Sequence, residues 1–283
     1  MKDQQITPCL WFDSNGKEAA EFYCAIFSNA RITTDTPMVV MFEVAGEQVM
    51  CLNGGSKFRP NPSISLFYIS ESKEEIQKIW EALSKGGNVL MPLDAYPWSD
   101  QYGWLQDKYG VSWQLSSGKL EDVGQHITPC LLFTGEQLGR AEEALNHYTY
   151  IFNNSKVDGI MRYDANSAPD KEGTVMHAQF GLNGYKLMVM DSAQDHRYEF
   201  DEGVSLMIEC KNQEEIDHYW NRLTEGGAES MCGWLEDKFG VSWQVVPENL
   251  GELMGSGDPE KSERVMNEIL KMKKIDVATL ERA

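Results

Sequence analysis

Basic residues are scarce in this chain. Against 44 aspartates and glutamates there are 25 lysines and arginines, which gives a formal net charge of −19 over 283 residues. Binding to nucleic acid or to an anionic membrane surface depends on clustered positive charge. Because no basic stripe occurs in the sequence, we expect neither nucleic acid nor a membrane as a partner.

Long hydrophobic runs and paired cysteines are lacking too. No apolar stretch approaches the roughly 18 residues that a membrane-spanning helix needs. The opening residues, MKDQQITP, contain no hydrophobic signal region. The six cysteines form no CxxC pair, and the chain is long enough for two domains with a core each. We therefore expect a cytoplasmic protein with reduced thiols.

Histidine is also infrequent, with five in the whole chain and no two at ligand spacing. His147 and His218 fall in predicted helices. His177 falls on a predicted strand, where a structural histidine is the more common outcome. The best functional interpretation of His177 is a residue that lines a binding cleft.

One stretch of the sequence occurs twice. GWLQDKYGVSWQL at Gly103–Leu115 returns as GWLEDKFGVSWQV at Gly233–Val245, and ten of the thirteen positions are identical. The Asp-Lys-aromatic-Gly segment is a turn signal, so each copy predicts a β-hairpin. Alternation along its second strand puts Trp113 on one face and Gln114 on the other.

The rest of the chain repeats in the same order. ITPCLWF at Ile6–Phe12 corresponds to ITPCLLF at Ile127–Phe133, and helix-capping patterns begin at Ser72 and Asn212. Each copy predicts a strand, a helix and three strands, twice over. Helices that alternate with antiparallel hairpins indicate an α+β fold.

The copies define the domain boundaries and differ in one insert. We expect a first domain at residues 1–118, a second at 119–250 and a C-terminal helical arm at 251–283. Only the first copy contains the insert Asn88–Tyr102, and we interpret it as a lid. The arm begins with an Asp258-Pro259 helix start, and we expect it to dock on its own domains or on a second chain.

The order ITPCLWF, FYCAIF, CLNGG, SISLFYIS, EEIQKIW, GWLQDKYGVSWQL resembles the PhnB-like branch of the vicinal oxygen chelate superfamily. That superfamily includes glyoxalase I, bleomycin-resistance proteins and extradiol dioxygenases. The resemblance covers nearly the whole chain. It implies tandem domains of paired βαβββ modules, with curled mixed sheets around a cleft.

Some members of this branch carry a 3-demethylubiquinone-9 3-methyltransferase label. Enzymes of that kind usually hold their cofactor with a glycine-rich turn between a parallel strand and a helix. Here Asn53-Gly54-Gly55 runs into SKFRPNPS, which predicts no helix. The sequence therefore gives the methyltransferase label no support.

Metal-using members of the superfamily place His and Glu ligands on four strands of two modules. The positions that match by strand pattern are Pro8, Cys51, Ser63 and Gln114 in the first copy and Pro129, Val189, Gly203 and Gln244 in the second. Proline, valine and glycine cannot ligate a metal, and a neutral glutamine replaces a carboxylate poorly. We expect no metal and no other cofactor.

The remaining features indicate a cleft lined with aromatic rings and amides, which suits a neutral, partly flat organic ligand. The predicted ligand-binding residues are Trp11, Cys51, Trp98, Trp104, Trp113, Gln114, His177, Cys232, Trp234, Trp243 and Gln244. For Trp104, Trp113 and Trp243, filling the hydrophobic core is the open alternative. Cys9 and Cys130 are interpreted as small hydrophobic residues on core strands.

Three hypotheses for function follow. The first is a metal-free small-molecule-binding protein. The second is a lyase, isomerase or dioxygenase of the same fold, with a metal on non-standard ligands such as Glu43, His177 or the glutamines. The third is a scaffold that serves association only. A monomer that mimics a dimer and a homodimer are both open, as is module pairing within or across copies.

Overall fold

A computed structural model describes residues 6–254 and 257–283. The first-copy strands are β1 (Ile6–Phe12), β2 (Ala30–Asp35), β3 (Val39–Val44), β4 (Glu47–Asn53), β5 (Ile64–Ser70), β6 (Asn88–Tyr96), β7 (Ser99–Gln106) and β8 (Ser112–Ser117). The second-copy strands are β9 (Ile127–Phe133), β10 (Lys156–Arg162), β11 (Val175–Leu182), β12 (Tyr185–Asp191), β13 (Val204–Cys210), β14 (Ala228–Glu229), β15 (Trp234–Glu236) and β16 (Ser242–Pro247).

The helices follow the repeat. They are α1 (Gly16–Ile26), α2 (Lys73–Leu83), α3 (Leu120–Val123), α4 (Ala141–Ile151), α5 (Gln213–Leu223), α6 (Leu250–Leu253), α7 (Pro259–Ile269) and α8 (Val277–Arg282), with a 3₁₀ turn at Gly135–Gln137. Strand, helix and three strands therefore recur four times, which confirms the α+β fold and its modules. No helix among the described residues has the length and apolarity to cross a bilayer.

The described chain forms two compact units. Residues 8–204 make the first, and residues 6–7 together with 205–283 make the second. The first unit contains an eight-stranded sheet in the order β10-β11-β12-β9-β5-β8-β7-β6 and a set of strands in the order β1-β4-β3-β2. The second unit contains strands in the order β14-β15-β16-β13.

The eight-stranded sheet joins the two sequence copies. β5 pairs antiparallel with β9, with Leu66 opposite Pro129, and the Leu132 N–H donates to the Ser63 carbonyl at 2.8 Å. In this sheet a module of the first copy therefore pairs with a module of the second. The domain boundaries at residues 118 and 250 are drawn from the sequence repeat, and they stay a prediction.

Local signals place the elements where the sequence predicts them. Asn183 and Gly184, between β11 and β12, have φ of 49° and 82°, the left-handed pair that a two-residue hairpin turn requires. The Ser72 hydroxyl accepts the Glu75 N–H at 3.1 Å at the start of α2. The Asp258 carboxylate caps α7, with proline in its first turn.

The first-copy insert forms β6 and the first part of β7, which are neighbouring strands of the sheet. β6 pairs antiparallel with β7, with Met91 opposite Trp104 and Asp94 opposite Tyr102. The hairpin tip carries Trp98, which is 53% exposed. The segment interpreted as a lid is thus built into one side of the sheet.

The C-terminal arm docks on its own unit. The Cys232 and Gly233 N–H groups donate to the carbonyls of Met272 and Lys273, both at 2.7 Å. Ile275 is 1% exposed, and Val265, Ile269 and Leu280 are buried as well. Of the two expectations for the arm, the described contacts show docking within the chain.

Candidate functional site

The repeated hairpin is built around a buried carboxylate. Oδ1 of Asp107 accepts the backbone N–H of Tyr109 at 2.8 Å and of Val111 at 3.1 Å. Oδ2 accepts the Trp113 indole N–H at 3.0 Å and the Tyr23 hydroxyl at 2.7 Å. Burial raises the pKa of Asp107, and these hydrogen bonds oppose the rise.

The second copy repeats this arrangement within its own unit. Asp237 accepts the backbone N–H of Phe239 and Val241 at 2.9 and 3.1 Å and the Trp243 indole N–H at 2.9 Å. Trp113 and Trp243 are both wholly buried. Both tryptophans therefore fill the hydrophobic core, which is the alternative to a role in the cleft. The Asp-Lys-aromatic-Gly turn that both copies share stabilises the fold.

Gln114 faces the other side of the sheet and has both ends of its amide engaged. Its Nε2 donates to the Ser65 hydroxyl at 2.7 Å, and its Oε1 accepts the Tyr102 hydroxyl at 2.8 Å. In the second unit, Gln244 Nε2 likewise donates to the Ser205 hydroxyl at 3.0 Å. The glutamine of the motif thus bridges strands.

Strand register defines the surface around Gln114. Side chains opposite one another in a ladder point to the same face. Following the pairs across six strands of the sheet gives Gln179, Met188, Cys130, Ser65, Gln114 and Trp104 on one side, with Phe67 beside Gln114. We call this side of the eight-stranded sheet the curved face.

The curvature follows from one buried cluster. Tyr102 and Trp104 on β7 pack with Leu132 on β9, although β5 and β8 lie between those strands. Three strand spacings span about 14 Å in a flat sheet, so packing across them indicates that the face is concave between β9 and β7. The partly buried residues packed against the cluster are Phe67, Leu90, Met91, Tyr96, Met190 and Tyr198.

Four of the predicted site residues belong to this part of the first unit. Gln114 and Trp104 lie side by side on the curved face, and the Trp104 indole N–H donates to the Ser112 hydroxyl at 2.7 Å. Trp98 lies 5.7 Å, centroid to centroid, from the ring of Tyr102. His177 lies on β11 next to Ala178, which pairs with Val189, so it shares the face of Met188 and Met190.

Besides the buried Trp113, two other predicted residues in this unit lie away from the curved face. The Trp11 indole N–H donates to the Gly55 carbonyl at 2.7 Å, and its ring meets Phe58 edge-on at 5.2 Å. Cys51 is fully buried, and burial raises the pKa of its thiol. It pairs with Leu10, the neighbour of Trp11, so Cys51 and Trp11 point to opposite sides of their strands.

The remaining predicted residues lie in the second unit. Trp234 pairs with Gln244, as Trp104 pairs with Gln114. Cys232 takes the place in the motif that Tyr102 has in the first copy, with a left-handed φ of 62°. Its backbone N–H donates to the Met272 carbonyl of the C-terminal arm.

Sequence reasoning missed Tyr102, Ser65 and Tyr198. The first two are found only once the ladder partners of Gln114 are known. Tyr198 lies in the irregular segment after β12, where its hydroxyl is 2.8 Å from His196 Nδ1. His196 Nε2 is in turn 2.9 Å from the Ser192 hydroxyl, and no periodic pattern marks such a segment.

The curved face does not fit a His/Glu metal centre. Cys130, Met188 and Gln114 point onto it, whereas Pro129 and Val189 are each one residue out of phase with that face. Burial raises the pKa of the Cys130 thiol to about 12, so the thiolate that a metal needs is disfavoured. Among residues 6–254 and 257–283, no group of three or more His, Cys, Asp or Glu side chains could hold an ion.

Comparison with known proteins agrees with this architecture. Maize glyoxalase I is similar over 88% of this chain and 94% of its own, with 13% identity and a TM-score of 0.54, which shows the fold alone. A Bacillus cereus protein titled putative 3-demethylubiquinone-9 3-methyltransferase, PhnB protein, is 35% identical. The match covers 41% of this chain and 100% of that one, with a TM-score of 0.38.

A search of curated proteins finds no match. The family model described as 3-demethylubiquinone-9 3-methyltransferase matches residues 4–116 and 125–246, one segment in each copy. Because these segments cover most of the sequence, the chain belongs to that family and carries two copies of its domain in tandem.

Proposed function

We propose that this protein binds a neutral, flat organic molecule on the curved face of its eight-stranded sheet, without the help of a metal ion. The observation that carries the proposal is the lining of that face. Rings and thioethers that remain partly accessible, including Phe67, Met190 and Tyr198, surround a floor of uncharged polar groups. Such sites suit ligands held by stacking and by a few oriented hydrogen bonds.

The chemistry of the floor supports a neutral ligand. Burial raises the pKa of the Tyr102 hydroxyl well above its usual range, so the phenol keeps its proton. Ser65 and Gln114 carry no charge, and their amide and hydroxyl groups already satisfy one another. A charged ligand placed against this floor would lose its hydration without gaining a counter-charge.

The aromatic edge supplied by the β6–β7 hairpin supports stacking. Tyr96 and Trp98 are stacked with centroids 5.1 Å apart, and Tyr102 meets both rings edge-on. The exposed side of Trp98 offers further aromatic surface to a planar ligand.

Titration with hydrophobic aromatic compounds, followed by tryptophan fluorescence, tests the proposal. We expect micromolar binding, weakened about tenfold in Trp98→Ala because one stacking partner is lost. Tyr150→Ala, which removes a ring 76% exposed on α4, is the matched control and should bind normally. Absence of binding to the whole panel would favour a scaffold.

The alternative, an enzyme with a metal on non-standard ligands, makes a different prediction. One of its residues, Glu43, is engaged with Arg31 at 2.7 Å and lies on β3, outside the eight-stranded sheet. Elemental analysis of the purified protein separates the hypotheses. Stoichiometric, tightly held metal would contradict binding without an ion.

A further inference from the structure

Of the five histidines, all of which lie within the described residues, His177 alone lies on a strand. His126 Nδ1 lies 3.2 Å from the Ile69 carbonyl, and His196 engages both of its ring nitrogens. His147 and His218 lie in α4 and α5. The ring of His177 is partly buried, yet it has no hydrogen-bond partner among the residues that the structure describes.

The cross-strand neighbours of this imidazole are two methionines. Met161 lies directly across from it on β10, and Met190 is its neighbour on β12. Thioether sulfurs are weak acceptors and donate nothing, so neither satisfies the ring. Burial lowers the pKa of His177, which favours the neutral imidazole with one free acceptor nitrogen.

Met190 links His177 to the proposed ligand site. It packs against the cluster of Tyr102, Trp104 and Leu132, and sulfur makes favourable contacts with aromatic rings. An aromatic ligand on the curved face would therefore lie beside an imidazole that lacks a donor. Given the binding function proposed above, we infer that the ligand is an aromatic hydroxyl compound whose O–H group donates to His177.

Two naphthalenes that differ only in this group test the inference. 2-Naphthol carries the hydroxyl, and 2-methoxynaphthalene carries the same ring system with the proton replaced by a methyl group. We expect the native protein to bind 2-naphthol about tenfold more tightly, which is the worth of one well-placed hydrogen bond.

Two variants assign that preference to the residue. His177→Leu should bind both compounds equally, because its side chain accepts no hydrogen bond. His177→Gln retains an acceptor and should keep part of the preference. The preference is the ratio of the two dissociation constants within each protein, and circular dichroism spectra that match the native protein show that the variants are folded.

Each other outcome overturns the inference in its own way. Equal binding of both compounds by the native protein would contradict a hydrogen bond from the ligand hydroxyl. It would leave the proposed binding function unaffected. If His177→Leu still preferred 2-naphthol, His177 would not be the acceptor of the hydrogen bond. Failure of both compounds to bind the native protein would contradict the proposed function together with the inference.

Discussion

The two copies of the repeated hairpin have the same turn but different flanks. Gly103–Leu115 and Gly233–Val245 each place a buried aspartate under the turn and a tryptophan against it. In the first copy β7 is flanked by the nine-residue strand β6, and the turn between them carries the exposed Trp98. In the second copy β14 has two residues, and the C-terminal arm bonds to the backbone instead. The turn is therefore structural, and its surroundings distinguish the copies.

Removal of the buried carboxylate should have the largest effect, because both copies share it. Asp107→Ala leaves two backbone N–H groups, the Trp113 indole and the Tyr23 hydroxyl without their acceptor. At about 1 kcal/mol or more for each buried group, we expect a loss of at least about 3 kcal/mol in urea unfolding.

Asp237→Ala should cost a comparable amount if the two turns are equivalent. The control is Asp100→Ala, which removes an exposed carboxylate that pairs with Lys73 and should change stability by less than about 1 kcal/mol. A loss near 3 kcal/mol in one copy and none in the other would break the comparison.

The arm should be the next most sensitive feature, and only the second copy depends on it. Ile275 is buried, and its Cγ1 lies 3.2 Å from the position that a Cβ at Gly233 would take. Ile275→Ala should cost about 2–4 kcal/mol and speed hydrogen exchange at the Cys232 and Gly233 amides. Leu270→Ala, at a residue 57% exposed, is the control and should leave both measurements unchanged.

The two bridging glutamines should respond unequally. Gln114→Met deprives both Tyr102 and Ser65 of a partner, which at about 1 kcal/mol each predicts a loss of about 2 kcal/mol. Gln244→Met deprives Ser205 and should cost about 1 kcal/mol. Equal losses by chemical denaturation would show that the Tyr102 hydroxyl does not depend on Gln114.

The smallest effect concerns Glu209, which pairs with Val246 much as Ile69 pairs with Ser116 in the first copy. Burial and the nearby charge of Glu248 raise the pKa of Glu209. A raised folded pKa means that ionisation disfavours the fold, so this carboxyl costs stability above its unfolded pKa. Glu209→Gln should be more stable than the native protein at pH 8, and the difference should close as the pH falls toward about 4. Glu225→Gln, at an exposed residue, is the control; a gap that widens in acid would contradict the prediction.

Local signals in the sequence predicted most of the fold. The Ser72 cap, the Asp258-Pro259 helix start and the alternation of Trp113 and Gln114 all depend on residues a few positions apart, and the structure confirms them. The pairing of β5 with β9 joins separate copies, and no short-range pattern encodes it.

The site was less predictable for the same reason. Alignment by strand pattern falls on Pro129 and Val189, one residue away from side chains on the curved face, and a slip of one residue exchanges the two faces of a strand. Ser65 meets Gln114 only through parallel pairing over 49 positions. His177, by contrast, lies on a regular strand, and its alternation could be followed from the sequence.

The pairing of β5 with β9 also bears on how the chain assembles. If the chain were cut between the copies, β5 would become an edge strand. Its unpaired backbone N–H and C=O groups could then pair with a strand of another molecule. In the intact chain, β9 pairs with that edge of β5 and is joined to the first copy by a short linker. The correct partner strand is therefore present at high effective concentration. Fusion of the repeats therefore supplies β5 with its partner strand within the same chain. Because the two paired strands belong to different copies, each can change in sequence without an identical change in the other.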